Sequence, residues 1–169
     1  MIKTTAPGKV VLWGEYAVLA GAAAGVMALN TPATVAASRS TDDAWHFSSQ
    51  GFGAEPVSCP ANELPKSTAT ALLAAVLRHW GFGSLDQCGQ AMRVHTDSSA
   101  FFQDSQKLGL GSSAAVCAAT YRLLCELTAR IPTLTEAMAI HRDWQGGKGS
   151  GLGIASVWPG GLAHFQQGK

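Results

Sequence analysis

The sequence predicts an α+β fold, a two-layer sandwich of one sheet and a layer of helices. Three observations carry that prediction. Strand-like segments fill the first fifty residues and return only at the end, in "LAHFQQ". Helical patterns are confined to the stretch after Ser67. Glycine-rich segments, "LGLGSS" and "GGKGSGLG", punctuate the second half. At 169 residues the chain has the size of one domain with a sizeable core. Hydrophobic residues make up 47% and charged residues 14%. That is too apolar for disorder and low in charge for a fully solvated surface, so some apolar surface is expected to meet a second domain or a partner. A net charge of +1, with no Lys/Arg cluster, argues against nucleic acid or an anionic membrane as partner.

In chain order, "KVVLWGEYAVLAG" reads as a strand from Lys9, a glycine break and a second strand to Gly21. "GVMALN" and "TPATVAASRS" continue in strand character, and "AWHFSS" adds a short strand. The uncharged run from Val18 to Ala37 is long enough to raise a membrane span, but it is mostly Ala and Gly, and Asn30, Thr31 and Pro32 interrupt it. A turn between two strands suits it better. Residues 51 to 66, rich in Gly and Pro, read as loop. Ser67 is placed as the N-cap of a helix over Ala69 to Trp80, stopped by Gly81. "QAMRVHTDSS" alternates as a strand, and "SSAFFQDSQK" reads as a polar loop. A second helix, apolar nearly all round, is predicted from Ser113 to Arg130 and ends at Ile131-Pro132. Thr133 and Glu136 form a T-x-x-E capping box for a third helix through about Trp144.

The four cysteines, Cys59, Cys88, Cys117 and Cys125, show no C-x-x-C spacing. Cys117 and Cys125 fall on one helix, roughly 12 Å apart along its axis, too far for a disulfide. All four are read as reduced core thiols of a cytoplasmic protein. Glu15 interrupts the first apolar run, so no signal peptide is read there.

"LGLGSSAAV", residues 108 to 116, has the ingredients of a phosphate cradle. Gly109 and Gly111 let a ligand approach the main chain. The following helix offers free N–H groups and a dipole that favours an anion. Ser112 and Ser113 add hydroxyls able to bind phosphate oxygens or Mg²⁺. By spacing alone, a tight turn capped by serine explains the segment as well. It is not a P-loop, because no G-K-[ST] follows, and it lacks the glycine spacing of a dinucleotide fingerprint.

Three blocks taken together are more specific. "KLGLGSSAAV" resembles the phosphate-binding loop of the GHMP kinases, the family of galactokinase, homoserine kinase, mevalonate kinase and phosphomevalonate kinase. "APGKVVLWGEYAVLAG", residues 6 to 21, is similar to that family's opening segment, in the form of its mevalonate-pathway members. "GKGSGLGIASVWPGGL", residues 147 to 162, resembles the third shared block in a form closest to phosphomevalonate kinase. The resemblance spans nearly the whole chain. It implies the family's N-terminal, ATP-binding domain over residues 1–169, a fold like domain 2 of ribosomal protein S5, with the C-terminal domain absent. It implies transfer of the ATP γ-phosphoryl group, with Mg²⁺, to mevalonate, phosphomevalonate or a similar acceptor.

By that resemblance Lys9 is the catalytic cation near the acceptor. Glu15, Tyr16 and Ser150 line the acceptor pocket. Gly109, Leu110, Gly111, Ser112 and Ser113 hold the ATP phosphates, and Ser112 or Ser113 contacts the metal. Read without the resemblance, Lys9 is a solvated strand-end lysine, and Glu15 and Tyr16 are a half-exposed strand pair. His141, on one helical face with Ala137 and Trp144, is expected to be a packed or supporting side chain. Phe101 and Phe102 either flank the adenine or pin the loop. One departure stands out: the third block of mevalonate and phosphomevalonate kinases has an aspartate where this chain has Gly153, which can neither accept a proton nor pair with Lys9. The sequence therefore supports two further readings, a catalytically inactive GHMP-fold protein that binds nucleotide or a partner, and a nucleic-acid-binding module of the S5-like fold that the charge disfavours. The uncovered apolar face is expected to allow a homodimer.

Overall fold

The computed structural model describes residues 1–147 and 149–166. Lys148 of the second glycine-rich loop and Gln167 of the closing strand lie outside the described residues.

Strand β1 (Ile2–Trp13) starts earlier than predicted, because Thr4 and Thr5 extend the β-branched run. The expected second strand after Gly14 is instead a 3₁₀ turn, Ala17–Ala20. Local bonds close it, Val18 N to Gly14 O at 3.0 Å and Leu19 N to Tyr16 O at 3.1 Å, so its backbone needs no ladder. Val18 anchors the turn in a small cluster with Ala24, Val26 and Leu152.

The expected break at Asn30–Pro32 is a bulge inside one long strand, β2 (Ala23–Arg39). Its register with β1 jumps from Pro7↔Pro32 to Gly8↔Leu29. On its other edge β2 pairs with a closing strand over Ala23 to Met27 and with a central strand over Thr34 to Arg39. Pro32 sits in the gap between those partners, where no strand asks for its missing N–H. β3 (Ala44–Gln50) follows, and part of the predicted loop forms an edge strand, β4 (Val57–Pro60), beside it.

Helix α1 (Ala71–His79) is entered through a 3₁₀ turn at Thr68–Thr70. β5 (Met92–Asp97) returns into the sheet, parallel to β3 and antiparallel to β2. The predicted polar loop holds a small hairpin, β6 (Phe102–Gln103) and β7 (Gln106–Lys107), turned by Asp104 and Ser105. α2 (Ser112–Leu127) ends sooner than expected, as the Thr128 hydroxyl donates back to Leu124 O at 2.7 Å. α3 (Leu134–Trp144) begins at the predicted cap, where Thr133 Oγ1 accepts from Glu136 N at 3.3 Å. The Glu136 carboxylate does not reach back to complete the box. It takes the Tyr121 hydroxyl and, at 3.0 Å, Trp80 Nε1. A short helix, α4 (Leu152–Val157), and strand β8 (Leu162–Gln166) close the chain.

The strand order is β1-β2-β5-β3-β4, with β8 also on β2. Alternation assigns the faces. Val35, Ala37, Met92, Val94, Trp45 and Phe47 are buried under the helices, while Arg93 and His95 face away. α2 lies against β1 and β2 with small residues, Ala114, Ala115, Ala118 and Ala119, and the Thr4 hydroxyl donates to Ala119 O at 2.7 Å. The four cysteines are unpaired and buried, and burial pushes the Cys117 thiol up to about 12.

Candidate functional site

The three motif blocks meet around the N-terminus of α2. Gly111 is its N-cap, at φ +77° and ψ 31°, in the left-handed region that a side chain avoids. A Cβ on Gly111 would stand 2.7 Å from Lys9 Cγ, so the lysine chain lies directly on the glycine. Lys9 N donates to Leu110 O at 2.8 Å, which stitches β1 to the loop. Ser112 and Ser113 are the first two residues of a 16-residue helix whose first-turn N–H groups face the loop. The structure thus brings Lys9, Leu110, Gly111, Ser112 and Ser113 together.

Two hollows adjoin that point. One, of 230 Å³, is walled by Phe47, Leu72, Val94, Phe102 and Trp144 and includes Lys107, Ser112 and Ser113. The other, a cleft of 340 Å³, contains Lys9, Glu15, Tyr16, Ser113, His141, Ser150 and Gly153. Ser113 lines both. Tyr16 is 81% exposed at the cleft's outer side. Ser150 Oγ accepts from Leu152 N at 3.3 Å, which leaves its O–H free to donate. Gly109 lines neither hollow among those described, and its place in the site is that of a loop residue two positions before the cap. A third hollow, of 460 Å³, lies on the outer sheet face around Ser38, His46, Arg93 and His95 and holds none of the motif residues.

The two phenylalanines have separate roles. Phe101 is fully buried, and Phe102 walls the apolar hollow. His141 is buried as expected, at 4% exposure, and its ring stacks on Trp144, with centroids 5.7 Å apart and planes at 27°. It also lines the cleft, which sequence reasoning missed, and Nε2 has no hydrogen-bond partner among the described residues. Burial pulls its pKa down to about 4, so the ring is neutral at pH 7. Gly153, second residue of α4, packs on α2: a Cβ there would be 3.1 Å from Ala114 Cβ. Arg122 ties α4 to α2 and β1, donating to Trp158 O at 2.9 Å and to Thr5 O at 3.2 Å.

Among the described residues no group of three or more His, Cys, Asp or Glu side chains is placed to hold a metal. The oxygen donors at the junction are the Ser112 and Ser113 hydroxyls, a set that suits a hard cation only when phosphate oxygens complete it. No helix of the described residues is long and apolar enough to cross a membrane.

The family model described as GHMP kinases N terminal domain matches residues 67–160. No curated protein matches the sequence. Among solved structures, the chain is similar to phosphomevalonate kinase of Streptococcus pneumoniae, solved in complex with phosphomevalonate and AMPPNP, at 18% identity and TM-score 0.78, over 99% of this chain and 50% of that one. It is similar to mevalonate kinase of Methanococcus jannaschii at 17% identity and TM-score 0.79, over 99% of this chain and 54% of that one. It is also similar to the Lin0012 protein of Listeria innocua at 27% identity and TM-score 0.76, over 98% and 48%. The chain spans about half the length of these structures.

Proposed function

This chain belongs to the GHMP kinase family, and we propose that it is the ATP-binding half of a small-molecule kinase of the mevalonate pathway. The observation that carries this reading is the junction at Ser113, where an apolar hollow and a polar cleft meet at a glycine-capped helix N-terminus. The apolar hollow suits a purine, with Phe102 and Trp144 as flat apolar walls. The α2 N-terminus, Gly111 to Ser113, suits the phosphates. The cleft suits the acceptor, with Lys9 as the cation beside the transferring group and Glu15, Tyr16 and Ser150 as its polar lining. The acceptor is a small hydroxylated or phosphorylated molecule, mevalonate or phosphomevalonate. Mg²⁺, held by Ser112 or Ser113 together with the ATP phosphates, supplies neutralisation of phosphate charge.

Leu12, Trp13, Tyr16, Leu19 and Leu162 are exposed apolar side chains near the cleft end of the sheet. In this reading they form the face that meets a second domain, or in the isolated chain a second copy. Gly153 favours the alternative of an inactive, nucleotide-binding member, because no carboxylate stands at that position.

Calorimetric titration of the chain with Mg-AMPPNP tests the reading directly. Saturable one-to-one binding is expected. No binding at millimolar nucleotide would overturn it.

A further inference from the structure

We propose a second site on the outer face of the sheet, independent of the kinase reading: Asp42, His46 and Ser58 form a nucleophilic triad in which Ser58 Oγ attacks the carbonyl of an ester that carries an anionic group. The sheet register builds this site. Ser58 of β4 stands opposite His46 of β3, His46 beside Arg93 of β5, and Arg93 opposite Ser38 of β2. Four strands thus present one row of polar side chains, and all four line the 460 Å³ hollow of the outer face. Ser58 is exposed, so a ligand in the hollow can reach it.

His46 is bonded at both ring nitrogens. Nδ1 lies 2.8 Å from Ser58 Oγ, and Nε2 lies 2.8 Å from Asp42 Oδ1 and 3.1 Å from Oδ2. The carboxylate is itself held in place, because Oδ1 also accepts from the Ser40 hydroxyl at 2.8 Å and from Ala44 N at 3.2 Å. The His46 bond first, then those of Ser40 and Ala44, pull the Asp42 pKa down to about 2. An ionised carboxylate only accepts, so in the neutral ring the proton sits on Nε2 and Nδ1 accepts from the Ser58 hydroxyl. Nucleophile, base and orienting acid are therefore joined by consecutive hydrogen bonds, as activation of a serine requires. The same face holds an internal comparison. Ser48 Oγ lies 2.9 Å from His95 Nδ1, but no carboxylate is bonded to His95 among the described residues.

The hollow also sets the class of ester. No Asp or Glu lines it among the described residues, and Arg93 is its permanent cation. Arg93 Nη2 donates to Thr41 Oγ1 at 3.1 Å, and the remaining guanidinium N–H groups are left for an anion. Arg93 lies two strands from Ser58, a backbone separation of about 10 Å. A short acid with its carbonyl at Ser58 and a carboxylate at its far end spans that distance once the arginine side chain reaches toward it.

Ser58 Oγ forms a bond to the acyl carbon as its proton passes to His46 Nδ1, and the carbonyl electron pair moves onto oxygen. The pair returns as the bond to the alcohol oxygen breaks, and the alcohol leaves with the proton from Nδ1. Water, deprotonated by the same nitrogen, then attacks the acyl-Ser58 ester, which releases the acid and restores the serine. Asp42 is the positioning residue that steadies the imidazolium.

The test treats the chain with diisopropyl fluorophosphate and reads the product by peptide mass spectrometry. One diisopropylphosphoryl group per chain is expected, on Ser58 and not on Ser48. His46→Phe is expected to slow labelling at least about a hundredfold. Asp42→Asn is expected to slow it as well, and Asp42→Glu to recover part of the loss. Turnover of para-nitrophenyl hydrogen glutarate is expected to exceed that of para-nitrophenyl pentanoate, a neutral ester of the same chain length. Ser58→Ala is expected to remove both activities, and Arg93→Gln to equalise them. No label on Ser58, equal labelling of Ser48, or an unchanged rate in the His46 variant would overturn the triad. Pentanoate turned over as fast as glutarate would overturn the anionic class of ester. If a variant does not fold, the wild-type labelling pattern and ester preference decide.

Discussion

The loop before α2 and the loop before α4 both end in a glycine in the left-handed region, Gly111 at φ +77° and Gly151 at φ +81°, serving as a helix N-cap. Beyond that they differ. The first launches a 16-residue helix that is buried on most sides, and two serines follow its cap. The second launches a helix of 6 residues, and its serine, Ser150, precedes the cap and is partly used by Leu152 N. Against the first cap lies Lys9, and against the second lies Met138. In the kinase reading the same backbone device serves as an anion cradle in one place and a packing joint in the other. What separates them is helix length and the side chain lying on the glycine. A glycine pattern by itself does not.

The largest expected effect comes from filling the first cap. Gly111→Val forces a branched side chain into a left-handed backbone and against Lys9, whose Cγ lies 2.7 Å from the Cβ site. Mg-AMPPNP affinity is expected to fall at least about a hundredfold, with the far-ultraviolet dichroism retained. Unchanged affinity would place the cradle elsewhere.

Next is the pH dependence of α3, the helix that leads into the second loop. Burial lowers the His141 pKa to about 4 in the folded chain, against an ordinary histidine value of 6.5. Its contribution to stability is full above pH 6.5 and is lost as pH falls from there toward 4, because the unfolded chain takes up the proton first. The whole change is on the order of 3 kcal/mol. Urea midpoints are expected to drop over that window, and His141→Phe is expected to flatten the drop.

Smaller is the effect of Gly151→Ala, whose Cβ would meet Met138 Cε at 2.6 Å in a backbone region that costs alanine about 1–2 kcal/mol. The thermal midpoint is expected to fall, and Mg-AMPPNP affinity is expected to hold. Lost nucleotide affinity would show that the second loop also carries the phosphates. Smallest is Gly153→Asp. Its Cβ stands 3.1 Å from Ala114 Cβ, and a carboxylate at the second position of α4 is favoured by the helix terminus by about 0.3–1 kcal/mol. The two effects oppose, so stability measured by urea unfolding is expected to change by less than about 1 kcal/mol. A loss of several kcal/mol would make Gly153 a packing requirement.

Much of this was legible in the chain itself. The two-layer α+β class, the Thr133 cap and the buried α2 rest on local signals, alternation and caps, whereas the grouping of the motif blocks comes from the family resemblance and not from glycine spacing. The single long β2 was not legible. Pro32 is tolerated only because the strands beside β2 leave a gap there, which is a property of the assembled sheet. The turn after Gly14 reads as a strand in the sequence because the apolar residues that anchor it, Val18 among them, look the same in either state. His141 and Trp144 carry the signature of an ordinary buried helix face. Their positions on two different hollows arise from the packing of α3 against both loops, and no spacing in the sequence records that.

The stacked pair on the last turn of α3 has a consequence for the order of events. Trp144 lines one hollow and His141 the other, through stacked rings whose centroids are 5.7 Å apart. In the kinase reading, a nucleotide that fixed the indole would also fix the imidazole, so the second ligand would meet a ring whose rotational freedom had already been given up. Binding in the two hollows would then be heterotropically linked. By reciprocity, the factor by which nucleotide tightens acceptor equals the factor by which acceptor tightens nucleotide. The indole fluorescence of Trp144 would carry that linkage as a signal, responding to a ligand that never touches it.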